Sequence, residues 1–334
     1  VKVTLKDIAE ETGYSISTVS RVLNGSGKIS SQTAEEIHEA AKRLHYPTIK
    51  MQNNKNIRRS LDIVFIALEF SLGEFYSSLY SGLTQAALQS NINLSFVNLP
   101  LPLEQTKEKL KHMDEIDDYD GIIIFAPEFE MKDYRSLLEV LPERTPIISN
   151  TLIENPVVST VTFDAYSGGF LASEHFIERG YKKCGIIKGP LEKSEARYRY
   201  NGFRDSLAQH ADFDLVWSSQ GDYSFRSGKH AFQDFEEAEV RPRAVFASND
   251  NMAHAFLEAA IAQGYKIPED VAVVGYDDVP ICGRHRPSIS SIRTDFEKLG
   301  MLTIEKLRLM ILNQTEQEGI LSFVPVTVKV RESS

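Results

Sequence analysis

Two groups of side chains carry directed chemistry. In the first, Ile16, Ser17, Ser20 and Arg21 fall within six residues of one another. On a helix, Val19, Val22 and Leu23 would form the inward face and leave those four on the outer one. A guanidinium at position 21 can donate two hydrogen bonds to guanine, whereas Ile16 offers only apolar contact, for example to a thymine methyl, and Ser17 is permissive. The short hydroxyls of Thr4, Ser15, Thr18 and Ser20, with the amide of Asn24, suit phosphate oxygens, which set register without reading sequence. The same hydroxyls can cap helices, and Ser15 and Ser30 are placed to do both.

The second group lies just after short apolar runs. Asn249 and Asp250 follow Val245-Phe246-Ala247-Ser248, and Asp277 and Asp278 follow Val273-Val274-Gly275-Tyr276. Phe75 and Tyr76 are expected in the loop after the first run, and Arg199 is expected to open a helix beyond Gly189-Pro190. Carboxylate, amide and guanidinium groups beside aromatic faces suit a polyhydroxylated ligand, which needs many directional hydrogen bonds and a flat apolar platform. Helix capping is the competing role for Asn249 and Asp277, and core packing for Phe75 and Tyr76. No catalytic or metal-binding set accompanies them. Gly-x-Gly-x-x-Gly, Gly-x4-Gly-Lys-Ser/Thr and Gly-x-Ser-x-Gly are absent, the eight His are scattered without a ligand-like pair, and no cofactor or enzyme activity is expected. Cys184 and Cys282 lie far apart and are expected to be reduced structural thiols.

The elements that position these groups follow from periodicity. Thr4-Leu5-Lys6-Asp7 has the form of a helix start, and one helix is predicted over about 5–11, a second over 16–23 after the Gly13 turn, and a third from Ser30 to before Pro47. Two short helices around a Gly-containing turn, braced by a third, make a helix-turn-helix, whose second helix enters the major groove. Charge agrees. Residues 1–60 carry ten Lys and Arg against six Asp and Glu, a net +4, leaving 27 against 41, or −14, on the other 274. A basic head on an acidic body confines contact with a polyanion to the head. From residue 61 on, apolar runs (62–68, 121–125, 146–149, 157–162, 184–187, 244–247, 271–275) alternate with helical patterns such as 76–89, 166–179, 199–209, 251–263 and 296–312. That alternation predicts an α/β body of doubly wound parallel sheets covered on both faces, too long for one sheet and so two-lobed, with ligand bound at the carboxyl ends of the strands.

The residues that carry the head resemble one known family. Thr4-Leu5-Lys6-Asp7-Ile8-Ala9, Gly13-Tyr14-Ser15 and Ser17 to Gly25 are similar to the head of the lac repressor (LacI/GalR) family of bacterial transcription regulators. In the body, Phe163-Asp164 through Gly168, Arg199 to Phe203, Ala247 to Asp250, Val274 to Asp277 and the 325–331 run match the same family in order, and with it the periplasmic sugar-binding fold. The resemblance implies Ile16, Ser17 and Arg21 as base readers and Thr4, Ser15, Thr18, Ser20 and Asn24 as phosphate contacts. It also implies an effector site of Arg199, Asn249 and Asp277, with Tyr223 as an aromatic platform and Phe75, Tyr76 and Phe296 nearby. A contact from Ser149-Asn150-Thr151, where the family commonly has aspartate, is not carried over. The implied domains are a head at 1–47, a linker at 48–60 and a body at 61–334, with lobe one at about 61–158 and 293–322 and lobe two at about 159–292 and 323–334.

The linker departs from the family. Where a short hinge helix with a wedging leucine is usual, this chain has Gln52-Asn53-Asn54-Lys55. Either Met51 or Ile57 takes the wedge position in a shifted register, or Lys50, Lys55, Arg58 and Arg59 bind through charge alone, which would bend operator DNA less. The function implied is an effector-controlled repressor of carbohydrate genes, binding double-stranded operator DNA as a homodimer, without membrane association. A corepressor-dependent regulator using a purine or a phosphoprotein partner, and a sugar-binding transport component, are the alternatives. With no secretory signal and no apolar run long enough to span a bilayer, a cytoplasmic location is expected. With no leucine heptads at 331–334, so is a dimer rather than a coiled-coil tetramer.

Overall fold

The computed structural model describes residues 4–23, 29–44, 60–68, 70, 73–112, 118–142, 145–314 and 318–334. The chain divides into two units, Val1–Leu61 and Asp62–Ser334.

In the first unit, α1 (Leu5–Thr12) starts at Thr4, whose backbone N–H and hydroxyl donate to Asp7 Oδ2 at 2.6 and 2.7 Å. These bonds hold the Asp7 carboxyl below the usual carboxylate range. Gly13 ends the helix at φ +73°, its N–H bonded to the Ala9 carbonyl at 2.9 Å, a conformation a side chain would strain. In α2 (Ile16–Leu23), Ser15 Oγ accepts from the Thr18 N–H at 3.1 Å, and in α3 (Ser31–Arg43) Ser30 Oγ accepts from Thr33 at 3.2 Å. The three helices close over Ile8, Val19, Val22, Leu23, Ile37 and Ala41.

The second unit has two six-stranded sheets of identical order. The first runs β2 (Ile92–Leu99), β1 (Leu61–Leu68), β3 (Gly121–Phe125), β4 (Ile147–Ser149), β5 (Ser159–Phe163) and β11 (Leu321–Val324). The second runs β7 (Asp214–Gln220), β6 (Lys183–Lys188), β8 (Ala244–Ala247), β9 (Ala272–Asp277), β10 (Ser290–Arg293) and β12 (Thr327–Lys329). Inner pairs such as β1–β3, β3–β4, β6–β8 and β8–β9 are parallel, while β12 is antiparallel to β10. Each order reverses beside its first strand, which opens a crevice at the carboxyl ends there.

Burial on both faces explains why the strands are apolar throughout. In the second sheet, Ile187, Val245, Ala247 and Val273 face α9 (Phe225–Glu236) and α10 (Asp250–Ala262). Their neighbours Cys184, Ile186, Phe246 and Val274 face α7 (Ala165–Glu178) and α8 (Ser194–Leu207). In the first sheet, one face meets α5 (Leu103–Lys111) and α6 (Met131–Leu138) through Leu110, Tyr134 and Leu137. Helices α4 (Glu74–Gln89) and α12 (Phe296–Asn313) pack against each other, α12 also meets β4 and β5, and the short α11 (Ile281–Arg284) meets α10. Both cysteines are buried and free, and burial pushes the Cys184 thiol up to about 12.

The chain crosses between lobes after Phe163, after Arg293 and after Val324, where it enters α7, α12 and β12 in turn. This corrects the expected lobe boundaries. Residues 159–163 pair with β4 and β11 in the first sheet, not the second, and 321–324 lie wholly in the first sheet, not divided at 322. An apolar run announces a buried strand but not the sheet that accepts it, because pairing is decided by distant residues such as Leu321 opposite Thr160. Among the described residues, no helix is long and apolar enough to cross a membrane.

Candidate functional site

On α2, Ile16 is 50% exposed and Ser17 and Arg21 are exposed, whereas Val19, Val22 and Leu23 are buried. The three outward side chains therefore share one open face of a helix preceded by a tight turn. Thr18 and Ser20 are half-buried beside it, and Thr4 and Ser15 are exposed but already engaged as helix starts. Ser15 Oγ also lies 2.8 Å from both Ser17 Oγ and Thr18 Oγ1. Asn24 and the linker at 48–59 lie outside the described residues.

The second site is a cavity of about 770 Å³ at the carboxyl ends of both sheets. Lobe one contributes Phe75, Tyr76, Phe125, Asn150, Thr151 and Phe163, and lobe two Glu195, Arg199, Tyr223, Asn249, Tyr276 and Asp277. Arg199 does not open its helix, since α8 begins at Ser194 and places it in the second turn. It is buried, its guanidinium carbon 3.7 Å from the Tyr276 ring centroid. Nη1 donates to the Ser248 carbonyl at 2.5 Å and Nη2 lies 3.8 Å from Asp277 Oδ1. Burial raises the Asp277 carboxyl well above its ordinary range against the pull of Arg199. Glu195, one turn before Arg199, is shifted upward in the same way, again by burial first.

Tyr223 sits at φ +69° on a turn fixed by two amides, Asn249 Nδ2 and Asn251 Nδ2, each donating to its carbonyl at 3.0 Å. Its ring lies over Gly189, where a Cβ would come within 2.5 Å of the ring carbons. Asn249 also caps α10, Oδ1 accepting from the Met252 N–H at 2.9 Å, so the capping role is present together with its place in the wall. Phe75 and Tyr76 stand in the first turn of α4 rather than in a loop, their rings 5.6 Å apart and edge-on. Phe296 does not line the cavity. It packs behind it, 5.5 Å from Phe75 and 5.4 Å from Phe163.

Several buried polar atoms in this wall have no hydrogen-bond partner within the protein: Glu195 Oε2, Arg199 Nε, Tyr223 Oη, Tyr276 Oη, Asp277 Oδ1 and Asn150 Oδ1. Such atoms are costly unless a ligand or solvent satisfies them. Sequence reasoning missed Glu195, although its spacing of four from Arg199 on one helix was a usable signal. It set Asn150 aside as well. Asn150, which lines the cavity, holds the Val161 carbonyl and Thr303 Oγ1 through Nδ2 and leaves Oδ1 without a hydrogen-bond partner. Among the described residues no group of three His, Cys, Asp or Glu could hold a metal ion.

Residues 4–48 match the family described as bacterial regulatory proteins, lacI family, and residues 173–334 the periplasmic binding protein-like domain. The chain is 26% identical to the HTH-type transcriptional repressor PurR of Klebsiella pneumoniae subsp. pneumoniae, over 98% of its own length and 96% of the relative's. It is 27% identical to the PurR of Salmonella heidelberg over the same shares. Among solved structures, the lac repressor dimer bound to operator and the anti-inducer ONPF shares the fold (TM-score 0.74, 24% identity, 100% and 99% of the two chains). So does the transcriptional regulator CelR–cellobiose complex (TM-score 0.71, 26% identity, 99% and 100%). Residues 4–48 thus carry the helix-turn-helix head of the lacI family of bacterial regulatory proteins, residues 173–334 a periplasmic binding protein-like body, and the chain is similar along nearly its whole length to HTH-type transcriptional repressors.

Proposed function

We propose that this repressor controls carbohydrate-utilisation genes and is itself controlled by a small sugar-like effector held between the two lobes. The observation that carries the reading is the wall of the cavity, where buried donors and acceptors without a protein partner alternate with the rings of Phe75, Tyr76, Tyr223 and Tyr276. Sugars present hydroxyls at their edges and apolar C–H faces, and such a wall serves both. CelR, a relative by fold, is described as a cellobiose complex. In the head, Ile16, Ser17 and Arg21 read base edges, with Thr4, Ser15, Thr18, Ser20 and Asn24 on phosphates. The chain acts as a homodimer on a near-palindromic operator, since two-fold protein symmetry calls for two-fold DNA. Effector and operator affinities are then reciprocally linked, and the ligand acts only as far as it binds two states unequally.

A purine corepressor is the second reading, favoured by the PurR relatives. Calorimetric titration of the full chain with sugars and with nucleobases, followed by gel shift on operator DNA, separates the two. A sugar that binds and weakens the operator complex fits the first reading. A nucleobase that binds and strengthens it, with no sugar binding, replaces it by the second.

A further inference from the structure

The charges around the cavity narrow the ligand class further, on the footing that the cleft is the effector site. Five acidic side chains line it, Glu74, Glu195, Asp222, Asp250 and Asp277, against two basic ones, Lys193 and Arg199. Both cations already face an acid, and only Nε of Arg199 is left without a hydrogen-bond partner. Lys193 Nζ lies 2.5 Å from Glu128 Oε1, and Arg199 is stacked on Tyr276, bonded to the Ser248 carbonyl and paired with Asp277. His254, also in the wall, lies 3.2 Å from Glu258, and burial shifts it away from the charged form. Among the described residues of the wall, an anionic ligand would meet no cation that is not already paired with an acid.

The acids are not equivalent. Asp250 accepts from the Val279 N–H at 2.9 Å and Ser291 Oγ at 2.6 Å, Asp222 accepts from the Ser224 N–H at 2.8 Å, and Glu74 bonds the Ile281 N–H at 2.7 Å and Arg284. Glu195 Oε2 and Asp277 Oδ1 are instead buried without a hydrogen-bond partner. We infer that the effector carries no negative charge, that Glu195 hydrogen-bonds it directly, and that the acidic wall rejects phosphorylated or carboxylated analogues of the same sugar. A neutral hydroxyl satisfies Oε2 and Oδ1 without bringing another charge out of water. A cation is disfavoured as well, because Arg199 is already paired with Asp277 and burial opposes ionising either carboxyl group.

The test is calorimetry on the full chain with matched probes: cellobiose, maltose and trehalose, the 6-phosphate of each, glucosamine, and hypoxanthine. The expected result is a neutral sugar that binds and a phosphate of it that binds at least tenfold more weakly. Glu195→Gln should weaken the sugar about tenfold, the loss of one hydrogen bond to a buried carboxyl oxygen, and narrow the gap between sugar and phosphate. Without ligand the variant should melt at the same temperature or higher, because Oε2 has no partner to lose. A phosphate or glucosamine binding as tightly as the neutral sugar in the unaltered chain overturns the inference whether or not the variant folds, as does an unchanged sugar affinity in a folded variant. Hypoxanthine binding alone, with the same loss in Glu195→Gln, removes the sugar reading and leaves the uncharged ligand. Failure of every uncharged probe to bind overturns both.

Discussion

In the proposed reading DNA recognition turns on Arg21, because among the exposed α2 side chains Ile16, Ser17 and Arg21 it alone can donate two hydrogen bonds to a base. Arg21→Ala should cost about 1–3 kcal/mol at the base pair it reads, roughly five- to 150-fold in operator affinity. Binding to unrelated duplex should fall far less. Competition gel shifts with operator and scrambled DNA check this, and an unchanged preference would remove Arg21 from the base-reading set. Ser15→Ala is a different kind of change, removing the cap that holds the Thr18 N–H, and should lower the stability of the head by about 1 kcal/mol in a thermal melt. The exposure of Ile16, Ser17 and Arg21 was legible because Val19, Val22 and Leu23 fix the helical phase locally. Glu195 was not, since its consequence depends on Arg199, Tyr276 and Asp277, which only the sheet brings together. Phe296 shows the opposite failure. An aromatic near the cleft in sequence logic proves to be backing for Phe75 and Phe163, because which side of a ring faces solvent is set by packing.

Elements meet through glycine at the two helix crossings that frame the cleft. Gly82 of α4 and Gly300 of α12 face each other in lobe one, and a Cβ on either would enter the partner's backbone. In lobe two, Gly169 of α7 lies against the Arg199 carbonyl and Gly202 of α8 against the Tyr166 carbonyl. The second crossing thus fixes the height of Arg199 above the sheet. Gly169→Ala should push α8 outward, cost about 1–3 kcal/mol of stability, and weaken effector binding more than a distant substitution of equal stability cost. Calorimetry beside a melt checks it, and stability loss with full affinity would contradict it. Helix α7 also carries a pH effect. Burial holds the His175 imidazole below its ordinary value, aided by Arg179, with Nε2 2.8 Å from Ser334 Oγ. The unfolded chain takes up this proton near pH 6.5, the folded chain only lower, so the stability due to neutral His175 is full above about 6.5 and declines as pH falls below it. His175→Gln keeps a polar group toward Ser334 and removes the titration. Its melting temperature should gain on that of the unaltered chain between about pH 6.5 and 5, and parallel curves would dismiss the effect. The inner strands β1, β3, β4, β5, β6, β8 and β9 were readable from their apolar runs, but the inner strand β10 was not, because Ser290–Arg293 holds one apolar residue, Ile292. The outermost strands β2 and β7 were not, because Ile92–Leu99 and Asp214–Gln220 carry Asn, Ser and Gln on a half-solvated edge.

At the scale of the molecule, the two lobes are tied across the cleft by ion pairs, two of whose acids, Glu128 and Glu154, form none of its wall. Lys193 meets Glu128 at 2.5 Å and Arg197 meets Glu154 at 2.8 Å, each pair joining lobe two to lobe one. Glu74 adds a third tie, to Arg284 and the Ile281 N–H. Half-exposed pairs of this kind are worth about 0–1 kcal/mol each, too little to matter for folding and enough to shift an equilibrium between open and closed lobes. Glu128 and Glu154 are absent from the cavity lining, so Glu128→Gln with Glu154→Gln loosens two ties without altering the ligand's contacts. An effector that binds the closed arrangement should lose roughly two- to tenfold in affinity in the double variant, by the reduced fraction of competent molecules. The affinity of the unaltered chain should also fall with added salt, and that of the variant should fall less, because the screened charges are gone. Thermal stability should change by no more than about 1–2 kcal/mol. Calorimetry at low and high salt reads both quantities, and identical affinity and salt dependence in the two proteins would mean that the cleft is held by its packed crossings alone.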